Sequence, residues 1–228
     1  MRLPSAALFD NDGLLLDTES VWSRGEQALF EVRGRDFTID HKRQLVGASE
    51  AIAGRKLAEF LDEPGKDQEI MLELNELVLA ELENGVDPMV GAVELVDLLG
   101  AAGVPVGLVS NSPRRFIERS LEVAGVGNPF DVIVSGHEVA EAKPSPDPYL
   151  EACRILGLEP GPQVVALEDS PNGVAAAAAA GLFVIGIPSL PDLGLEGADL
   201  VAESLEHVDV LEQLGIQPLT PGPDQTPG

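Results

Sequence analysis

Short apolar runs alternate with helical patterns along most of this chain, and that rhythm narrows its fold more than any other feature. The runs are "AALF" (6–9), "VPVGLVSNS" (104–112), "FDVIVS" (130–135), "QVVALEDS" (163–170) and "LFVIGI" (182–187), with a weaker "DLVAES" (199–204). Each is short and rich in Val, Ile and Leu, as strands buried on both faces are. Between them lie amphipathic stretches. "AVELVDLLGAAG" (92–103) carries Val93, Val96 and Leu99 at spacing three and stops at Gly103, while "PRRFIERSLEVAG" (113–125) starts on Pro113 and ends in glycine. Both follow the usual asymmetry of helix ends. "PYLEACRILG" and "PNGVAAAAAAG" repeat the scheme. The pattern predicts an α/β fold: a parallel sheet with helices on both faces.

Residues 19–87 break the rhythm. They hold no convincing strand, but "SEAIAGRKLAEFL" (49–61) opens on a capping Ser49, and "DQEIMLELNELVLAELEN" (67–84) places apolar residues at 71, 74, 78 and 82. Both read as amphipathic helices. The expected organisation is therefore a discontinuous core, residues 1–17 and 88–214, with a helical module inserted at 18–87. The Pro/Gly-rich stretch 215–228 is expected to be a flexible tail.

In an open parallel sheet, ligands bind beyond the carboxyl ends of the strands. Those ends carry a selected set of residues. The first strand runs into Asp10 and Asp12, the next ends in Ser110 and Asn111, "FDVIVS" leads on to Lys143, and "QVVALEDS" ends in Glu168 and Asp169. Singly, each has an ordinary reading: a solvated turn, a helix cap, a loop lysine, acids at a helix start. Together they make a phosphoryl-transfer set, in which acids hold Mg²⁺ and the Ser, Asn and Lys groups donate to phosphate oxygens.

These motifs, Asp10-Asn11-Asp12-Gly13, "LVSNS", Lys143-Pro144 and "LEDSPNG", resemble in order and spacing the four motifs of the haloacid dehalogenase (HAD) superfamily of phosphohydrolases. The resemblance covers the whole predicted core, and implies a Rossmann-like sheet. The insert is similar to the small α-helical cap of the β-phosphoglucomutase and sugar-phosphatase subgroup. The resemblance implies that Asp10 attacks phosphorus and that Asp12 acts as general acid and then base. It implies further that Mg²⁺ is held by Asp10, the Asp12 carbonyl and Asp169, with Glu168 as a further or water-mediated ligand. Ser110, the Asn111 amide and Lys143 would bind phosphate. Asp17 would lie at the hinge into the cap.

Departures within the family favour hydrolysis. Asp12 argues against the dehalogenase branch. Trp22 stands where β-phosphoglucomutases carry a histidine. Gly47-Ala48-Ser49-Glu50 stands where they carry an arginine for a second phosphate, and Glu50 would repel one. The expected activity is a Mg²⁺-dependent phosphatase acting on a small sugar or polyol phosphate. Phosphoglucomutase-type transfer, a receiver-like signalling module and a silent binding protein are the rivals. Trp22 is expected to stack on the substrate or to pack between cap and core, and His41, His137 and His207 to be surface or structural residues.

Composition limits partners. Fourteen Lys+Arg against 39 Asp+Glu give a net charge of −25, which repels nucleic-acid backbones. No apolar stretch approaches a membrane span and the start lacks a secretory pattern. The lone Cys153 rules out an internal disulfide and is expected to pack in the core. A cytoplasmic enzyme with a phosphorylated metabolite as ligand, and with no obligate protein partner, is the expectation.

Overall fold

A computed structural model describes residues 3–46, 48–189 and 193–216. Six strands form one parallel sheet: β1 (Ala6–Phe9), β2 (Val106–Ser110), β3 (Val132–Ser135), β4 (Val164–Glu168), β5 (Phe183–Gly186) and β6 (Leu200–Val201), in the order β3-β2-β1-β4-β5-β6. The weak run at 199–204 yields only the two-residue edge strand β6.

Side-chain alternation explains why the strands read as continuous apolar runs. Ala6 and Leu8 of β1 join Val109, Val164, Ala166 and Val184 in a layer against α7 (Asp147–Leu156) and α8 (Pro171–Ala179), where Cys153 is fully buried. Ala7 and Phe9 face the other way, with Leu108, Val165, Leu167 and Ile185, into a layer closed by α5 (Ala92–Ala101), α6 (Arg114–Val123) and α9 (Val208–Gln213). Successive side chains take opposite faces, and both faces are covered. On α5 the buried stripe is Ala92, Leu95, Val96 and Leu99, so Val93 lies off the expected face.

Four helices occupy the insert: α1 (Thr18–Glu31), α2 (Ile39–Leu45), α3 (Glu50–Phe60) and α4 (Asp67–Leu82). The expected apolar residues of α4, Met71, Leu74, Val78 and Leu82, are buried, and Ile70 with them. Ser49 takes the N-cap position of α3 with an extended backbone, but its hydroxyl makes no capping bond. Asp17 caps α1, its carboxylate accepting the Ser20 N–H. The insert shares its apolar cluster with one layer of the sheet, through Leu14, Leu15 and Leu16. The predicted tail falls largely outside the described residues; of its start, Ile216 is buried against the core.

Candidate active site

β1 lies inside the sheet between β2 and β4, so the residues just beyond these three strands meet at one edge. This is the point where strand order reverses, the usual ligand crevice of such sheets. Asp10 follows β1, its N–H donating to the Leu167 carbonyl of β4.

The Asp10 carboxylate is held from two sides. Lys143 Nζ donates to Oδ1 (2.6 Å) and the Asp12 N–H donates to Oδ2 (2.9 Å). The same ammonium donates to Glu168 Oε1 (2.5 Å) and to the Val109 carbonyl (2.7 Å), so its three protons have three acceptors. The Tyr149 hydroxyl, fully buried on α7, donates to Glu168 Oε1 as well. Asn111 fixes the lysine's backbone: its Oδ1 accepts the Lys143 N–H (2.9 Å) and its Nδ2 donates to the Lys143 carbonyl (3.1 Å). The Asn111 carboxamide is thus engaged, and a donation to phosphate from this residue would come from its main-chain N–H.

Asp12 points elsewhere. Its Oδ2 accepts the hydroxyls of Ser110 (2.6 Å) and Ser112 (2.8 Å), and its Oδ1 accepts the Thr18 hydroxyl (2.7 Å) and the Asn11 amide (3.2 Å). Ser110, expected to donate to phosphate, donates here to Asp12 from a fully buried position.

Asp10, Glu168 and Asp169 each offer an oxygen within 4.8 Å of the others. Glu168 Oε2 and Asp169 Oδ2 are buried without a hydrogen-bond donor. Three buried carboxylates against one ammonium leave two negative charges uncompensated, which suits a divalent cation. Burial first, then mutual repulsion, pushes the carboxyls of Asp10 and Asp169 well above the usual range, although Lys143 pulls Asp10 down. A bound cation reverses that balance. Two glycines make room for this cluster. A Cβ on Gly13, whose φ is +86°, would stand 2.5 Å from Asp169 Oδ2, and one on Gly173 would overlap the Glu168 carboxylate.

A cleft enclosing about 780 Å³, its open mouth included, runs from Asp10, Lys143 and Asp169 up to the insert, where Glu19, Trp22, Glu26, Lys42, Glu50 and Asn75 line it. Trp22 packs on Phe116 of α6, ring centroids 5.3 Å apart, so its ring joins the insert to the sheet domain. His137 is an exposed residue, as expected, and it also borders the cleft. It sets Nε2 3.3 Å from Glu50 Oε2, while Asn75 Nδ2 donates to Glu50 Oε1 (2.6 Å). His41 and His207 cap helices. Sequence reasoning missed Ser112, Thr18 and Tyr149. Ser112 and Tyr149 sit inside the motif stretches "LVSNS" and "KPSPDPY", where a polar residue at each position was the available signal.

A central carboxylate–lysine cluster beneath a helical cover, on this strand order, defines a capped α/β phosphohydrolase. Residues 4–181 match the haloacid dehalogenase-like hydrolase family, and the chain belongs to that family, as one of its phosphatases. Among its relatives it is 32% identical over 215 residues to validoxylamine A 7'-phosphate phosphatase of Streptomyces hygroscopicus subsp. limoneus, covering 90% of this chain and 91% of that protein. It is 32% identical to hexitol phosphatase A of Escherichia coli, covering 90% and 94%. It is also 35% identical to a bifunctional riboflavin kinase/FMN phosphatase of Arabidopsis thaliana; this covers 95% of the chain but only 57% of that longer protein. The fold is similar to the crystal structure of CbbY from Rhodobacter sphaeroides with phosphate, at a TM-score of 0.79 and 29% identity, covering 94% of this chain and 100% of that one. A further crystal structure of a CbbY variant holds xylulose-(1,5)bisphosphate.

Proposed function

We propose that this chain hydrolyses a mono-phosphorylated sugar or polyol through an aspartyl-phosphate on Asp10. The observation that carries the reading is Lys143, which bridges Asp10 and Glu168 in a cluster that also holds two donor-less carboxylate oxygens. An ionised Asp10 carboxylate, oriented by Lys143 and the Asp12 N–H, attacks phosphorus. The ester C–O–P bond breaks on its phosphorus side, and Asp12 gives its proton to the departing alkoxide oxygen. Asp12 then takes a proton from water as that water attacks the phosphorus, releasing phosphate and restoring Asp10. The hydroxyls of Ser110, Ser112 and Thr18 keep Asp12 oriented between the two proton transfers. Asp10, Asp169 and Glu168 would hold Mg²⁺, with the Asp12 carbonyl, and the ion would neutralise the phosphate's charge.

The substrate class is supported by the relatives named for hexitol and validoxylamine phosphates. The bisphosphate held by a CbbY variant shows that this fold can accept a second phosphate, so its exclusion here must come from residues lining this cleft. A screen of phosphorylated metabolites for inorganic phosphate release tests the proposal. A hexitol or hexose monophosphate is expected to lead. Interconversion of sugar-phosphate isomers without phosphate release would instead identify a mutase.

A further inference from the structure

The far wall of the cleft carries one lysine, and its charge is already spent. Lys42 of α2 sets Nζ 2.7 Å from Glu19 Oε2 and 3.1 Å from Glu26 Oε2, both on α1, and 3.4 Å from the Glu19 carbonyl. The Glu26 carboxylate and the Glu19 carbonyl accept hydrogen bonds, while Glu19 Oε2 is paired by charge alone and is buried without a donor. The side chains of Lys42 and Glu26 are only 9% and 5% exposed, so solvent screens this cluster little. Above about pH 7, where the buried Glu26 is ionised, two carboxylates around one ammonium leave a net negative charge, and Glu50 adds another acid to the same wall. Glu19 also reaches toward the reacting end. Its Cγ would lie 3.2 Å from a Cβ on Gly13, which itself abuts Asp169. Of the described residues that line the cleft, the only lysines are Lys42 and Lys143, each held between two carboxylates, and there is no arginine.

We infer that the Lys42–Glu19–Glu26 cluster determines specificity by excluding anions: it admits the uncharged, hydroxyl-bearing end of a monophosphate ester and rejects a second phosphate. A distal phosphate needs a lysine or arginine free of other carboxylates and meets none among the described lining residues, whereas hydroxyls find acceptors in Glu19 and Glu50. Desolvating an anion beside a net negative cluster costs more than mere absence of a partner. The inference deepens the function proposed above and rests on it.

The test measures binding, so that turnover is not needed. Affinities of sorbitol 6-phosphate and fructose 1,6-bisphosphate are determined calorimetrically with Mg²⁺ present, in an Asp10→Asn background that cannot form the phospho-enzyme. Adding Glu26→Gln should tighten the bisphosphate by roughly tenfold, and Glu19→Gln with Glu26→Gln by more, while the monophosphate changes by less than about threefold. Adding Lys42→Met to that pair should cut the gain back to about that of Glu26→Gln alone, since both clusters then carry no net charge. Bisphosphate binding that is unchanged in the folded double variant, checked by circular dichroism, would overturn the inference, as would a monophosphate that tightens by as much as the bisphosphate. Release of phosphate from p-nitrophenyl phosphate by the unaltered protein is scored separately. Failure there refutes the phosphatase mechanism, and a selectivity switch in the binding experiment would still stand.

Discussion

Asp10 and Asp12 are two residues apart, yet their environments divide the labour between them. Asp10 is bound to an ammonium and a backbone N–H, which align it for the proposed attack, with a cation needed to offset its burial. Asp12 is surrounded by hydroxyls, partners that can turn to either protonation state. Asp10→Asn should abolish phosphate release from every ester. Asp12→Asn should cost ~10²–10⁴-fold on a sugar phosphate and distinctly less on p-nitrophenyl phosphate, whose leaving group needs little protonation. Equal losses on the two esters in steady-state assays would count against Asp12 as the acid. Glu26 gives a second prediction at this scale. Burial, reinforced by Glu19 and opposed by Lys42, pushes its carboxyl up to about 7 from an ordinary value of 4.5. The folded state therefore binds this proton more tightly than the unfolded chain does. The resulting stability is complete below pH 4.5 and is lost as pH rises through about 7, by at most about 3 kcal/mol. Denaturant midpoints compared at pH 5 and pH 8 should show this fall in the natural chain and much less of it in Glu26→Gln.

At the scale of elements, the question is what holds the insert over the sheet. Arg119 with Glu83 and Arg115 with Glu76 are exposed pairs that salt weakens. The Trp22–Phe116 ring contact does not depend on charge, and the partly exposed Glu50–His137 pair spans the same junction. The former joins α1 to α6; the latter joins the start of α3 to the turn after β3. Ring pairs of this kind contribute about 0.5–1.5 kcal/mol beyond their buried area. Trp22→Ala should raise KM for a sugar phosphate several-fold while leaving inhibition by inorganic phosphate nearly unchanged, since the proposed phosphate contacts lie at the strand ends. A parallel loss in both measurements would mean that Trp22 supports the strand-end residues themselves and not the position of the cover.

Over the whole molecule, an excess of 25 negative charges surrounds a site that is itself short of positive charge. Cation binding and fold stability are therefore linked. A ligand that binds only the folded state adds about 2.7 kcal/mol at a hundred times its Kd. Mg²⁺ should raise the thermal midpoint of the natural chain clearly, and chelation should stop turnover until the ion is restored. Asp169→Asn removes one of the repelling carboxylates, so without metal this variant should melt above the natural protein, yet it should gain much less from Mg²⁺. A variant that melts lower in chelator and responds equally to the ion would contradict the assignment of Asp169 as a ligand.

Much of this was legible in the chain itself because parallel strands buried on both faces must be apolar along their length, so polar residues at their ends stand out. Asp10, Ser110 and Glu168 interrupt apolar patterns at places where packing alone asks for none of them, and Lys143 stands in the loop that follows the third strand. The helices α1 and α2 were harder to read. The buried stripe of α1 runs through Gly25 and Glu26 as well as Val21 and Leu29, and α2 buries only Lys42 and Leu45. What no local pattern encodes is which distant groups share a proton donor. Lys143 reaches Asp10 across 133 positions, Asn111 clamps the Lys143 backbone across 32, and Tyr149 meets Glu168 across 19. Strand order, with β1 inside the sheet, was likewise decided only in the folded state, because parallel pairing depends on partners brought together by long crossovers. Patterning determined the elements and the residue types at their ends. Tertiary packing chose the partners, since a buried charge must find whatever donor or acceptor the completed fold places within reach.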